Sequence, residues 1–139
     1  MTEANVRWIE NQQFVGISSS RHAIAVDAAK EKTANSPMEL VLIGLCGCTA
    51  SDVVSILRKK REPFTSLEVH ARAERAPEPP TVYTQIHLTY RVRGKVARKA
   101  MQDAVRLSEE KYCSLAAMLN KSAKITYSIE YVEDNETSQ

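Results

Sequence analysis

The chain has 139 residues, a common length for one domain and enough to bury about two thirds of the surface that the unfolded chain exposes. Its net charge of +2 comes from 19 basic and 17 acidic residues that are well mixed, which argues against a strongly basic nucleic-acid-binding protein. Three cysteines and a polar start without a signal peptide argue against a disulfide scaffold and predict a cytoplasmic protein.

Short β-favouring segments predict an antiparallel meander over residues 5–27. Val6 with Trp8, then Phe14 to Ile17, then His22 to Val26 are separated by the polar segments "ENQQ" and "SSSR". Runs of this length between turn-forming residues are typical of strands. A polar connection, "AAKEKTAN", follows them.

A long helix is predicted over residues 36–61. Ser36, Pro37 and Glu39 stand at the N-cap, first and third helical positions, which is the pattern of a capping box. Apolar residues then surround the helix axis, which predicts that other elements enclose the helix. Asp52 lies within the apolar run and the basic cluster Arg58–Arg61 follows it. A core helix therefore fits better than a membrane span, and no membrane is expected.

The basic cluster Arg58–Arg61 has two interpretations. Basic residues at a helix C-terminus complement the exposed carbonyl groups, and this is the favoured one. Nucleic-acid binding is the weaker alternative, because no second basic stripe or aromatic platform accompanies the cluster.

The second half of the chain predicts a hairpin, two helices and a strand. Residues 64–93 alternate apolar and polar side chains on both sides of the turn "APEPP". Residues 95–121 carry apolar residues at helical spacing, broken near Cys113. Residues 123–132 alternate again. The order predicts a single α+β domain over 1–139, with antiparallel sheet packed against helices.

The cysteines differ in their local surroundings. Cys113 lies at a predicted helix start, where unpaired backbone N–H groups favour a thiolate and make it a candidate reactive or resolving thiol. Cys48 lies in the apolar helix with Asp52 one turn later, so an inert structural role is at least as well supported by local features. Cys46 is interpreted as structural.

A metal site is not expected. The available ligands are Cys46, Cys48, Cys113, His22, His70 and His87. Residues two apart on a helix point about 200° from each other, so Cys46 and Cys48 cannot both bind one zinc ion unless the helix is broken. His70 and His87 fall on the polar faces of their strands, where solvated histidine is usual. The sequence contains no phosphate loop or dinucleotide fingerprint, and no cofactor is predicted.

Two segments resemble the OsmC/Ohr family, and most closely its YhfA-like branch. They are "SPMELVLIGLCGCTASDVVSILRKKR" and "RLSEEKYCSLAAML". The shared pattern is a Pro-x-Glu-Leu helix start, an apolar run to a cysteine, and a second cysteine at a helix start. Cys48 and Cys113 are 65 residues apart. The resemblance covers roughly residues 20–132.

The resemblance implies an OsmC-like fold, with antiparallel sheets around long central helices in an intertwined homodimer whose active sites lie at the interface. It implies that Cys48 attacks an organic hydroperoxide and becomes a sulfenic acid, and that Cys113 resolves it as a disulfide. A dithiol reductant would then recycle the enzyme, with no metal or organic cofactor, in an oxidative or osmotic stress response.

The chain departs from the peroxidase pattern in two ways, because both members of one residue pair, a glutamate and an arginine, are displaced or missing. Peroxidase members hold the thiolate with an arginine, which is fixed by a glutamate directly after the helix-start proline. Met38 occupies that position here, and Glu39 follows it. The arginine–glutamate pair is therefore assigned to no residue. The alternative function is a non-catalytic dimer that binds a small apolar ligand in its interfacial pocket.

Overall fold

The computed structural model describes residues 1–133 and divides into two compact units, residues 1–43 and the chain from Gly44 onward. The first unit contains a three-stranded antiparallel sheet in the order β1-β2-β3. The strands are β1 Ala4–Glu10, β2 Gln13–Ser18 and β3 Ala23–Asp27. This is the meander that the β-favouring segments predict.

One face of this first sheet is apolar and uncovered. Val6 and Ile24 pair with Gly16 from its two sides, and their methyl groups close over this glycine, which has no side chain of its own. Val6, Trp8 and Ile24 are 61%, 63% and 47% exposed. A face of this kind is typical of a surface that another protein covers.

Helix α1, Pro37–Lys59, begins at the predicted capping box. The Ser36 N–H donates to Glu39 Oε1 at 2.8 Å, and the Glu39 N–H donates to Ser36 Oγ at 3.2 Å. These bonds satisfy two N–H groups that a helix start otherwise leaves unpaired, and they lower the pKa of the Glu39 carboxyl. The predicted capping box is confirmed.

Only one row of α1 side chains is fully buried within the chain. Leu45, Thr49, Val53 and Leu57 recur at every fourth position and are buried. The other apolar residues are partly exposed, and Ile43 is 54% exposed. The expectation that α1 is enclosed is therefore not met within one copy of the chain.

The second unit also contains a three-stranded sheet, in the order β4-β5-β6. Its strands are β4 Phe64–Arg75, β5 Tyr83–Gly94 and β6 Lys124–Val132. The pair β4–β5 is the predicted hairpin and is antiparallel, whereas β6 pairs with β5 in parallel. The parallel pairing departs from the antiparallel expectation, because the chain crosses back through helices before β6.

Three helical pieces connect β5 to β6. They are α2 Arg98–Leu107, a π-helical turn Ser108–Tyr112 and α3 Ser114–Leu119. Most of the buried apolar side chains of the second unit come from α1, β5 and α2, and they include Leu45, Val53, Leu57, Ile86, Leu88, Val92, Met101 and Val105. The fold is α+β, as predicted.

We expect Ser36→Ala to lower the free energy of unfolding by about 1 kcal/mol, because the Glu39 N–H loses its acceptor at the helix start. Chemical denaturation measures the change. Ser51→Ala is the matched control, since Ser51 is an exposed serine within the same helix. An equal effect of the two substitutions would contradict the role of the cap.

Candidate functional site

The structure brings Cys48 and Cys113 together. Cys48 is half-buried in α1, and Cys113 is 3% exposed at the N-cap of α3. Cys48 lies close enough to Cys113 to raise the pKa of the Cys113 thiol. All three cysteines of the chain are free thiols in this structure. The two residues that sequence analysis selected are thus neighbours in the structure, and they are called here the thiol pair.

Burial controls the chemistry of Cys113. It raises the pKa of the Cys113 thiol, and the neighbouring Cys48 raises it further. The Ala116 N–H donates to Cys113 Sγ at 3.3 Å and opposes the shift. The backbone N–H at the helix start therefore does lower the pKa of Cys113, as expected. Burial raises the pKa by more, so the neutral thiol is favoured.

A π-helical turn sets the position of Cys113. The Cys113 N–H donates to the Ser108 carbonyl oxygen at 2.9 Å, five residues back. This hydrogen bond widens the helix that the sequence predicts as regular up to this point. Turns of this type occur frequently at functional sites.

Cys46 is a separate half-buried thiol whose pKa is raised by burial. Within residues 1–133, no group of three or more histidine, cysteine or acidic residues is placed to hold a metal ion. His87 hydrogen-bonds instead with Thr126 at 2.7 Å and Ser128 at 3.1 Å. These two contacts give its ring a purely polar environment on the outer face of the sheet.

A chain of buried hydroxyl groups lies next to the thiol pair, and sequence analysis missed it. Thr49 Oγ1 lies 2.6 Å from the Tyr90 hydroxyl and 2.7 Å from Ser108 Oγ. Tyr90 donates to Glu109 Oε1 at 2.5 Å, and Ser108 donates to Asp52 Oδ2 at 2.9 Å. We call Thr49, Tyr90 and Ser108 the hydroxyl chain; it connects two carboxyl groups.

The two ends of the hydroxyl chain have different surroundings. Burial raises the pKa of the Glu109 carboxyl, opposed by the hydrogen bond from Tyr90. Burial, followed by Glu109, raises the pKa of the Tyr90 hydroxyl, and Cys113 contributes in the same direction. Asp52, at the other end, lines a surface groove. The only sequence signals were polar residues at apolar positions, Thr49 in the buried row of α1 and Tyr90 in the inward row of β5.

The groove at Asp52 has a volume of about 470 Å³. Its lining combines apolar side chains with two lysines, and consists of Asp52, Ser55, Ile56, Lys59, Lys60, Leu107 and Tyr112. Part of the predicted basic cluster thus forms the wall of a groove. The groove is large enough for a small organic molecule.

The residues around the helix start provide no copy of the peroxidase arginine–glutamate pair. The Glu39 carboxylate accepts the Ser36 N–H, so this glutamate has a structural partner already. Among residues 27–35, just before the helix, the only basic side chains are Lys30 and Lys32. Lysine cannot reproduce the planar, bidentate contact of arginine.

Comparison with protein families gives a match between residues 29–128 and the model described as OsmC-like protein. The chain belongs to the OsmC-like family. It is 45% identical over 131 residues to Protein YhfA of Escherichia coli K12, covering 94% of this chain and 98% of YhfA. OsmC-like proteins are soluble and usually dimeric.

Two solved structures share the fold of this chain. A hypothetical protein from Aquifex aeolicus superposes with a TM-score of 0.88 at 30% identity, covering 97% of this chain and 98% of that protein. An organic hydroperoxide resistance protein from Elizabethkingia anophelis has a TM-score of 0.75 at 12% identity, covering 95% and 96%. The second likeness establishes the fold alone.

Membership in the OsmC-like family also explains why α1 is long and apolar. By length and composition this helix could cross a membrane. In the soluble OsmC-like fold it is the core helix, so it gives no indication of a membrane.

We expect Cys113 to be alkylated more slowly than Cys48 in the native protein, because Cys113 is more buried and its raised pKa keeps it a neutral thiol. Timed iodoacetamide labelling at neutral pH, read by peptide mass spectrometry, measures both rates. In denaturant the rates should converge. A native Cys113 that reacts as fast as the unfolded one would contradict this assignment.

Proposed function

We propose that this OsmC-like protein reduces organic hydroperoxides, with Cys48 as the attacking thiol and Cys113 as the resolving thiol. The observation that carries the proposal is the interaction of two free thiols, Cys48 and Cys113, that are 65 residues apart in the sequence. Neighbouring thiols can form a disulfide when their sulfur atoms approach to bonding distance. The chain shares its fold with an organic hydroperoxide resistance protein, and the proposal extends the role in that protein's name to this chain.

The reaction needs two steps. In the first, the Cys48 thiolate attacks one peroxide oxygen and the O–O bond breaks; the Cys48 sulfur becomes a sulfenic acid, and the released alkoxide takes a proton and leaves as an alcohol. In the second, the sulfur of Cys113 attacks the sulfenic sulfur, and the hydroxyl leaves as water with the Cys113 proton. A disulfide results, and an external dithiol reduces it by exchange.

The surroundings of the pair suit these roles. Cys48 is the more accessible of the two thiols, as a residue that meets substrate must be. The high pKa of Cys113 keeps it protonated until its partner has been oxidised, which limits side reactions. The apolar residues of α1 on either side of Cys48 favour an organic hydroperoxide over hydrogen peroxide as substrate, because burial of the organic group is favourable.

We also propose that the protein works as a homodimer in the cytoplasm. The apolar face that includes Val6, Trp8 and Ile24, together with the partly exposed side of α1, is more apolar surface than a monomer usually presents. A second copy of the chain is the partner that OsmC-like proteins usually have. A reducing compartment keeps the three cysteines free between turnovers.

We expect cumene hydroperoxide to convert the protein to a form with a Cys48–Cys113 disulfide. Peptide mapping by mass spectrometry identifies the bond, and thiol titration counts the two lost thiols. Cys113→Ser should stop at a sulfenic acid on Cys48, which dimedone traps, and Cys48→Ser should not react. Cys46→Ser is the matched control and should behave like the unaltered protein.

If both thiols remain free in excess hydroperoxide, the peroxidase proposal is wrong. The groove at Asp52, with its apolar lining, would then favour the alternative function, binding of a small apolar ligand. Thermal stabilisation by such a ligand that persists in a Cys48→Ser, Cys113→Ser double variant would identify it.

We expect Val6→Lys to weaken the homodimer, because it places a charge in the apolar face of the first sheet. Analytical ultracentrifugation over a concentration series measures the dissociation constant, which should rise at least tenfold. Asn5→Lys, one residue away on the opposite face of β1, is the control. A monomeric unaltered protein would contradict the dimer proposal.

A further inference from the structure

The hydroxyl chain is one hydrogen short if both carboxyl groups are ionised. It contains four oxygen–oxygen contacts, Glu109–Tyr90, Tyr90–Thr49, Thr49–Ser108 and Ser108–Asp52, all between 2.5 and 2.9 Å. Each contact needs one hydrogen between its two oxygens. The hydroxyl groups of tyrosine, threonine and serine supply one hydrogen each, which makes three hydrogens for four contacts.

The shortage falls on Thr49. With both carboxyl groups ionised, Tyr90 donates its hydrogen to Glu109, and Ser108 donates its hydrogen to Asp52. Thr49 then has a single hydrogen for its two contacts at 2.6 and 2.7 Å. The remaining contact would place two oxygen lone pairs against each other in a buried setting, which is unfavourable.

We propose that Glu109 and Asp52 share one proton through the hydroxyl chain, with the proton on Glu109 in the resting protein. The Glu109 carboxyl then donates to Tyr90, Tyr90 donates to Thr49, Thr49 donates to Ser108, and Ser108 donates to the Asp52 carboxylate. All four contacts are satisfied. The burial that raises the pKa of Glu109 supports this end for the proton, and Lys59 and Lys60 line the groove at the ionised end.

The arrangement connects the thiol pair with the groove. Thr49 follows Cys48 directly in the chain, and the Ser108 carbonyl accepts the Cys113 N–H. When each hydroxyl passes its hydrogen to the next oxygen, the proton leaves Glu109 and appears on Asp52, and no group has to move far. The hydroxyl chain is therefore a path for one proton between the buried Glu109 and the groove at Asp52.

A neutral Glu109 also matters for the thiols. The titratable groups that face it are Tyr90 on β5 and, through Tyr90, Cys113; those at the other end are Asp52, Lys59 and Lys60. An ionised Glu109 would add a negative charge near the Tyr90 hydroxyl, on which Cys113 also acts, and would disfavour a thiolate there. The shared proton removes that charge.

Titration of the glutamate carboxyl groups by ¹³C NMR, in the full chain with labelled glutamate, tests the count of hydrogens. Glu109→Gln identifies the signal of Glu109. In the unaltered protein we expect Glu109 to titrate at clearly higher pH than the exposed glutamates. Titration together with them would overturn the proposal.

Two variants within the hydroxyl chain should shift the titration of Glu109 in opposite directions. Thr49→Val leaves two separate contacts, Tyr90–Glu109 and Ser108–Asp52, with two hydrogens for them, so the titration of Glu109 should move to lower pH. Tyr90→Phe removes the hydroxyl whose hydrogen bond lowers the pKa of Glu109, so the titration of Glu109 should move to higher pH. Thr89→Val, on the opposite face of β5, is the control and should change nothing.

A titration of Glu109 that Thr49→Val leaves unchanged, or moves to higher pH, would overturn the proposal. If Thr49→Val does not fold, Ser108→Ala provides the same test, because it leaves two contacts and two hydrogens between Glu109 and Thr49. Neither measurement uses a peroxide. The shared proton therefore stands or fails separately from the proposed reduction of hydroperoxides.

A separate experiment measures whether the charge of Glu109 changes the reactivity of the thiol pair. Thr49→Val should slow the alkylation of Cys48 at neutral pH, because it allows Glu109 to ionise. Adding Glu109→Gln should restore the rate, since glutamine carries no charge. A double variant that stays as slow as Thr49→Val would show that the charge of Glu109 does not reach the thiol pair, and would overturn this part of the proposal.

Discussion

The position of the thiol pair depends on two hydrogen bonds made by Thr49. This residue is the one polar member of the buried row of α1, and its hydroxyl contacts Tyr90 on β5 and Ser108 at the start of the π-helical turn. Three elements that are distant in the sequence are thereby joined at one oxygen. Cys48 directly precedes Thr49, and the Cys113 N–H donates to the Ser108 carbonyl oxygen. The hydrogen bonds of Thr49 therefore help to fix the positions of both thiols.

A second constraint is the imbalance between the apolar surface of the chain and the part that it buries. The helix α1 is apolar around most of its circumference, yet one row alone is fully buried. The uncovered face of the first sheet adds to this surface. Sequence and structure therefore agree that one copy of the chain leaves apolar surface exposed, and removing such surface from water stabilises association.

Much of the fold could be predicted because its signals are local. The capping box at Ser36 and Glu39 and the alternation of β4 and β5 each depend on neighbours within a few residues. The pairing of Cys48 with Cys113 came from family resemblance, since no local rule joins residues so far apart. The hydroxyl chain and the parallel pairing of β6 escaped prediction because both arise from tertiary packing. The lowered reactivity expected for a buried Cys113 also needed the structure, since burial outweighs the helix-start effect.

The π-helical turn carries a consequence for the length of this segment. A π-turn contains one residue more than an α-helical turn needs, and each residue rotates an α-helix by about 100°. Removal of one residue between Ser108 and Tyr112 would let the segment rewind as ordinary α-helix. Everything after it would then turn by about that angle, and the sulfur of Cys113 would face away from Cys48. The number of residues between the two cysteines thus determines the direction in which the Cys113 side chain points. A relative with one residue fewer here would keep both cysteines, but their sulfur atoms would no longer face each other.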